Sequence, residues 1–266
     1  MTTNKTNEHR DGRHGWRSAA GRGGGRTLAL LVSGLALAGC ASATLDEAGN
    51  LRSYADLRQD YGLLTKSLVS VDKPGVLAAR TVNIVPTTFA AAPDASFTPE
   101  QRGLVANAVD RSLCEGLSER FTVVSPWEPA DLTVHATVTR ATPTGKVAAG
   151  LSKGAMVASA VLLPEVPVPV PRIPIGLGSL SVEAEASDPA GQQRAAMVWA
   201  RGANALTDPG PVADNGDAYT LAGAFGGDFS SLLVTGISPF QAGPSLPSMQ
   251  AVGTYFGQQP KYVACK

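Results

Sequence analysis

Histidine, cysteine and aromatic side chains are all scarce in this chain. The histidines are His9, His14 and His135, the cysteines Cys40, Cys114 and Cys265, and aromatics make up 6% of the 266 residues. Only His135 lies downstream of Cys40, so a Ser-His-Asp triad has one candidate base, and the single Gly-x-Ser-x-Gly string, Gly150–Gly154, lies in a small-residue stretch that resembles a helix-packing motif and not a nucleophile elbow. With the two cysteines beyond Cys40 expected to pair with each other, the remaining histidine cannot furnish the usual three or four nitrogen and sulfur ligands of a zinc site. Neither a metal nor another cofactor is therefore expected. The formal net charge is zero, which leaves no basic surface for phosphates and makes nucleic acid a poor partner. Glycines 21 and 23–25 follow no strand, so they form no phosphate cradle. A long hydrophobic run is also missing: the apolar stretch Thr27–Ala38 has twelve residues, whereas a helix crossing the bilayer needs about 20.

What is present begins in front of that stretch. Lys5, Arg10, Arg13, Arg17, Arg22 and Arg26 stand against only Glu8 and Asp11, a positive leader of the kind that stays cytoplasmic while the following segment inserts. Directly behind the run, Leu37-Ala38-Gly39-Cys40 resembles the bacterial lipobox, in which small residues admit a peptidase and the cysteine sulfur carries diacylglycerol. On that reading residues 1–39 are a lipoprotein signal peptide, Leu37, Ala38 and Gly39 form its recognition site, and Cys40 is the lipidated first residue of the processed chain. Several acyl chains on one residue suffice for stable attachment. The residue after Cys40 is Ala41, not an acidic one, which by resemblance to Gram-negative sorting rules favours the outer membrane, with the protein facing the periplasm.

Removing the leader strips away mostly basic residues, so the remainder is mildly acidic and long enough for one domain with a substantial core. If Cys40 carries lipid, Cys114 and Cys265 form an even pair in an oxidising compartment, and a disulfide between them is expected, two separate thiols being the alternative.

Residues 40–50 are small and polar and suit a tether. The segment "LRSYADLRQDYGLLTKS" spaces Leu51, Tyr54, Leu57, Tyr61 and Leu64 at three and four, but Gly62 and its polarity make it a docking segment more than a firm helix. "RTVNIVPTTF" is a strand ending at Pro86. A helix follows, with Thr98 as N-cap, Pro99 at its first position and Val105, Val109, Leu113 and Leu117 on one apolar face, Cys114 on its flank. Phe121–Ser125 is a short strand, and "DLTVHATVTR" alternates Leu132, Val134, Ala136 and Val138 against polar neighbours, His135 among them.

A hairpin is expected in "SLSVEAEASDPAGQQRAAMVWARG", turning at Asp188–Gly191. Pairing Ser187 with Gln192 would set Leu180 opposite Trp199, Val182 opposite Met197 and Glu185 opposite Arg194. Glu183 and Glu185 share a face as glycosidase carboxylates would, but a cross-strand arginine marks a solvated or ion-paired surface. Ahead of this hairpin, residues 147–174 are apolar and small, ending in prolines at 164, 167, 169, 171 and 174. They form either an insertion covering the sheet or a surface touching lipid or a partner. An amphipathic helix with Ala218, Leu221, Ala222, Phe225, Phe229, Leu232 and Leu233 inward closes the domain, softened by Gly226 and Gly227.

The lipobox, the leucine- and tyrosine-bearing segment, "NIVP", "ADLTVHATVT", the hairpin and the closing helix together resemble the bacterial lipoproteins of the domain of unknown function numbered 3313, from about Leu51 to Gly236. The resemblance implies location and architecture and no activity. The expected fold is α+β: a single domain with a mostly antiparallel or mixed sheet of about five strands and two main amphipathic helices, over residues 51–236, followed by an extension over 237–266. The expected function is a non-enzymatic, lipid-anchored binding or assembly module with an envelope protein as partner, the alternatives being a lipid carrier or a small periplasmic hydrolase.

Overall fold

The computed structural model describes residues 43–90, 96–145, 177–204 and 216–241. The leader with Leu37, Ala38, Gly39 and Cys40, the proline-rich stretch 164–174 and Cys265 lie outside the described residues. The fold is α+β, with a mixed sheet of eight strands: β1 (Arg58–Gln59), β2 (Thr65–Val71), β3 (Thr81–Ile84), β4 (Thr88–Phe89), β5 (Thr122–Val124), β6 (Leu132–Thr142), β7 (Ser179–Ser187) and β8 (Gln193–Gly202). Three helices accompany it: α1 (Lys73–Ala78), α2 (Pro99–Leu117) and α3 (Gly216–Thr235). The strand order is β1-β2-β8-β7-β6-β3-β5, with β4 also on β6. Pairing is antiparallel from β1 to β6, and parallel where β3 and β4 join β6 and β5 joins β3.

The sheet is larger than the five strands expected. β1 and β4 are two residues long, too short for any period. β2 hides for another reason: its core-facing positions are Thr65, Ser67, Val69 and Val71, so hydroxyls occupy sites where alternation would call for aliphatics. α1 is a single short helix capped by Asp72, whose carboxylate accepts from Gly75 N at 3.2 Å.

α2 and α3 cover one face. Thr98 caps α2 and forms a capping box with Gln101, and the anticipated Val105, Val109, Leu113 and Leu117 are buried. All seven inward positions expected of α3 are buried as well. Against them lie Leu132, Val134, Ala136 and Val138 of β6, Leu180, Val182, Ala184 and Ala186 of β7, and Met197 and Trp199 of β8. Trp199 meets Phe225 edge-on at 5.7 Å, and Phe225 stacks with Phe229 at 6.0 Å. Gly226 does more than soften α3. A Cβ there would strike Ser112 of α2, and one on Gly116 would sit 2.6 Å from Ser230. The two helices thus touch backbone to backbone, and the Ser112 hydroxyl donates to Ala222 O at 3.0 Å.

Arg120, just past α2, fastens the helix ends. Its guanidinium donates to Val76 O (2.6 Å) and Ala79 O (3.1 Å) at the end of α1 and to Leu233 O (3.2 Å) in the last turn of α3, while lying 3.8 Å over the Phe121 ring.

The β7–β8 hairpin turns where expected, with Gly191 at φ +78°, but its register differs by two residues. Val182 faces Trp199, Leu180 faces Arg201 and Glu185 faces Ala196. Ser187 faces Gln193 and not Gln192, which shifts the register by one, and a bulge between Ala186 and Ser187 adds the second by leaving Arg194 unopposed. That side chain reaches Asp72 and Asp188, each at 2.6 Å. A slip of two keeps every side chain on its predicted face, which is why periodicity could not reveal it.

Candidate functional site

On the face of the sheet away from the helices, β7 presents Ser181, Glu183, Glu185 and Ser187. Glu183 and Glu185 are 1% and 4% exposed, so the solvated surface expected for them is not what they occupy. Residues 43–57 lie over them. Ala48 N (3.2 Å), Asn50 N (3.1 Å) and Asn50 Nδ2 (3.0 Å) donate to Glu183 Oε1, and the Tyr54 hydroxyl donates to Glu183 Oε2 at 2.5 Å. Glu185 accepts from Arg52 N (2.7 Å) and Arg52 Nε (3.1 Å). The ion pair expected for Glu185 exists, but with Arg52 from this strip and not with Arg194 across the hairpin.

The strip runs alongside β7 in the same direction, Thr44 accepting from Ser181 Oγ at 2.7 Å and Ser53 exchanging two bonds with the Gln193 amide. Leu51 fills the gap above Ala196 and Val198, flanked by Leu45, Tyr54, Leu57 and Leu68. The docking reading of 51–67 holds for its first part, whereas its end is strand β2. Residues 43–50, expected as tether, are bound too: Ala43 is 6% exposed, its carbonyl accepts from Lys66 Nζ at 2.9 Å, and Asp46 pairs with Arg140 at 2.7 Å. Small, polar residues read as linker, but their backbone N–H and C=O groups are what the sheet uses.

This arrangement is a clasp whose carboxylates are spent on the chain's own donors. Burial, together with the hydrogen bond to Glu183, holds the Tyr54 hydroxyl above its ordinary pKa. His135, opposite Glu185 in the β6–β7 register, is exposed. Among the described residues no three side chains of the metal-binding types come together, and none of the helices is long and apolar enough to cross a membrane.

Two further carboxylates, half-buried Asp228 and buried Asp217, carried no sequence signal. Asp228 of α3 accepts from Trp199 Nε1 at 2.8 Å, and burial pushes its pKa up to about 6 despite that bond and Arg201 nearby. Asp217, in the first turn of α3, accepts from Thr144 Oγ1 and Gly178 N, both at 2.7 Å. It thereby ties both ends of the 146–176 insertion to the start of α3. Cys114 is buried and disulfide-bonded. It is the one cysteine among the described residues, so its partner lies outside them and the pairing with Cys265 is not observed.

The described domain coincides with a known family. DUF3313, described as a protein of unknown function, matches residues 46–229. The chain belongs to this family. The DUF3313 match begins inside the strip that covers Glu183 and ends within α3, so the residues that bond Glu183 and Glu185 fall within it. No curated protein matches the chain. Among solved structures, it is similar to the PelC dodecamer from Paraburkholderia phytofirmans, at 12% identity and a TM-score of 0.35 over 64% of this chain and 96% of that one. A singly substituted form of the same protein gives 12%, 0.34, 64% and 93%.

Proposed function

We propose that the protein is a lipid-anchored module of the cell envelope, acylated at Cys40, facing the periplasm from the outer membrane and working by binding an envelope protein without catalysing a reaction. The observation that carries this reading is the clasp. Among the described residues the chain is already packed at Ala43, three residues after the cysteine of the lipobox-like sequence, so a chain starting at Cys40 would have its domain seated close behind the anchor. The only paired carboxylates that suggested acid–base chemistry, Glu183 and Glu185, hold that segment in place and leave no acceptor turned toward a substrate.

The finer parts of the proposal are the Cys114–Cys265 disulfide, supported by the bonded state of Cys114, and a partner surface in residues 147–174. The test is expression of the intact chain with an alkyne-tagged fatty acid. The processed protein should carry the label on its N-terminal peptide and sediment with outer membranes, and Cys40→Ser should abolish both. An unlabelled protein with its leader attached would overturn the anchor. Crosslinking in intact envelopes should give one dominant adduct that is lost when residues 147–174 are deleted. Unchanged adducts would remove that surface from the proposal.

A further inference from the structure

The anchor and the clasp together fix which way the domain faces, an inference that rests on acylation of Cys40. Each residue spans at most about 3.6 Å of chain, so the three peptide steps from Cys40 to Ala43 let the first buried residue stand no more than about 11 Å from the acylated sulfur's own Cα. Ala43 is not free to move: Lys66 Nζ holds its carbonyl at 2.9 Å, and Ser181 Oγ holds that of Thr44 at 2.7 Å. Both partners stand at one end of the sheet, where β2 and β7 begin and β8 and β6 finish, as the pairs Thr65 with Arg201, Ser179 with Gly202 and Thr142 with Ser179 show.

The same end carries the most exposed aliphatic side chain among the described residues. Leu63 is 99% exposed at the tip of the β1–β2 hairpin, next to Tyr61, which is also exposed, and two residues before the strand that holds Ala43. The first turn of α3, which bears the exposed Tyr219, is tied to the start of β7 by Asp217, accepting from Gly178 N at 2.7 Å. A solitary leucine beside an exposed tyrosine is the pattern of a shallow interfacial contact, in which the aliphatic tip enters the acyl boundary and the phenol stays at headgroup level. At the other end of β6, about 30 Å away by strand rise, the loop before Leu132 bears Trp127, 89% exposed.

We infer that the β1–β2 hairpin end of the sheet rests on the phospholipid surface that holds the anchor, with Leu63 in the interfacial region and Trp127 directed away from it. The occupant is a lipid bilayer, because the chain outside the described domain ends in the proposed acyl attachment within reach of Leu63.

The experiment uses the full processed protein, extracted from membranes and reconstituted into phosphatidylethanolamine–phosphatidylglycerol vesicles with brominated acyl chains, which quench tryptophan on contact. The variant Leu63→Trp, in a Trp127→Phe background, reports on the hairpin, and the unaltered protein reports on Trp127, with the fully buried Trp199 a background common to both; both altered positions are exposed, so neither change burdens folding. Vesicle-bound L63W should lose emission relative to unbrominated vesicles, while Trp127 should not. Protein that floats with vesicles yet shows no quenching in L63W, or quenching of Trp127 instead, overturns the orientation and leaves acylation standing. Protein that neither carries acyl chains nor floats overturns both.

Discussion

Replacing Glu183 with alanine should open the clasp while leaving the rest of the domain folded. The carboxylate is 1% exposed and accepts four hydrogen bonds, from Ala48 N, Asn50 N, Asn50 Nδ2 and Tyr54 Oη. Hydrogen bonds to a charged group contribute about 1.5–3 kcal/mol each when measured singly. Four taken independently would exceed 6 kcal/mol, but the freed donors belong to a peripheral strip and can turn to water as it lifts. The net loss is therefore expected at about 3 kcal/mol, on the order of a hundredfold in the local opening equilibrium. Arg52 on Glu185, the Ser53–Gln193 pair and the apolar seat of Leu51 oppose complete release. Amide hydrogen exchange tests this directly. The N–H groups of residues 48–53 should exchange about a hundredfold faster in Glu183→Ala, with β6, β7 and α3 keeping their protection, and Tyr54→Phe should give a smaller effect of about 1 kcal/mol. If residues 48–53 keep their protection in a folded Glu183→Ala protein, the carboxylate is not what holds the strip.

Gly226→Ala should destabilise the domain by about 1–3 kcal/mol, seen in thermal unfolding, because the added methyl drives Ser112 and its helix outward; an unchanged midpoint would mean that the two backbones are not in contact. Asp228 titrates near 6 in the folded protein against 3.8 as its ordinary value, so the native state holds this proton more tightly than the unfolded chain. Stability should accordingly fall as pH rises from about 4 to 6, by at most about 2–3 kcal/mol, and then level off. Asp228→Asn, which keeps an acceptor for Trp199, should flatten that part of a urea-denaturation series against pH. Cys265→Ser should lower stability by about 3–5 kcal/mol if it opens a loop on the order of 150 residues; alkylation of the unreduced protein should meanwhile find no free thiol in the unaltered chain, and two labelled cysteines would refute the pairing.

The parts of the fold that were legible in the sequence are those where one residue type repeats at one period. The capped α2 with Val105, Val109, Leu113 and Leu117, the alternation of β6 and the inward face of α3 all pack as read. Illegible were the elements whose signal is carried by backbone or by polar atoms. β2 buries Thr65 and Ser67 where aliphatics were sought. The hairpin register slipped by two because a turn one residue longer and a one-residue bulge together leave the period of two unchanged. The clasp was misread most fully, since Glu183 and Glu185 look solvent-facing until the donors that bury them are known, and those donors lie 129 to 135 residues away. Even so, their spacing had placed both on one face, which is where they act.

The strip over β7 also imposes a timetable. Residues 48–54 are synthesised first, yet their acceptors, Glu183 and Glu185 on β7 and Gln193 on β8, follow some 129 to 140 positions later. Contacts of such separation form late in folding. The strip must remain unpaired throughout that interval, next to the point where the acyl group would be added. On the proposal that Cys40 is acylated, an enzyme acting there would find the neighbouring strip undocked at first and docked afterwards, which favours modification before β7 and β8 arrive.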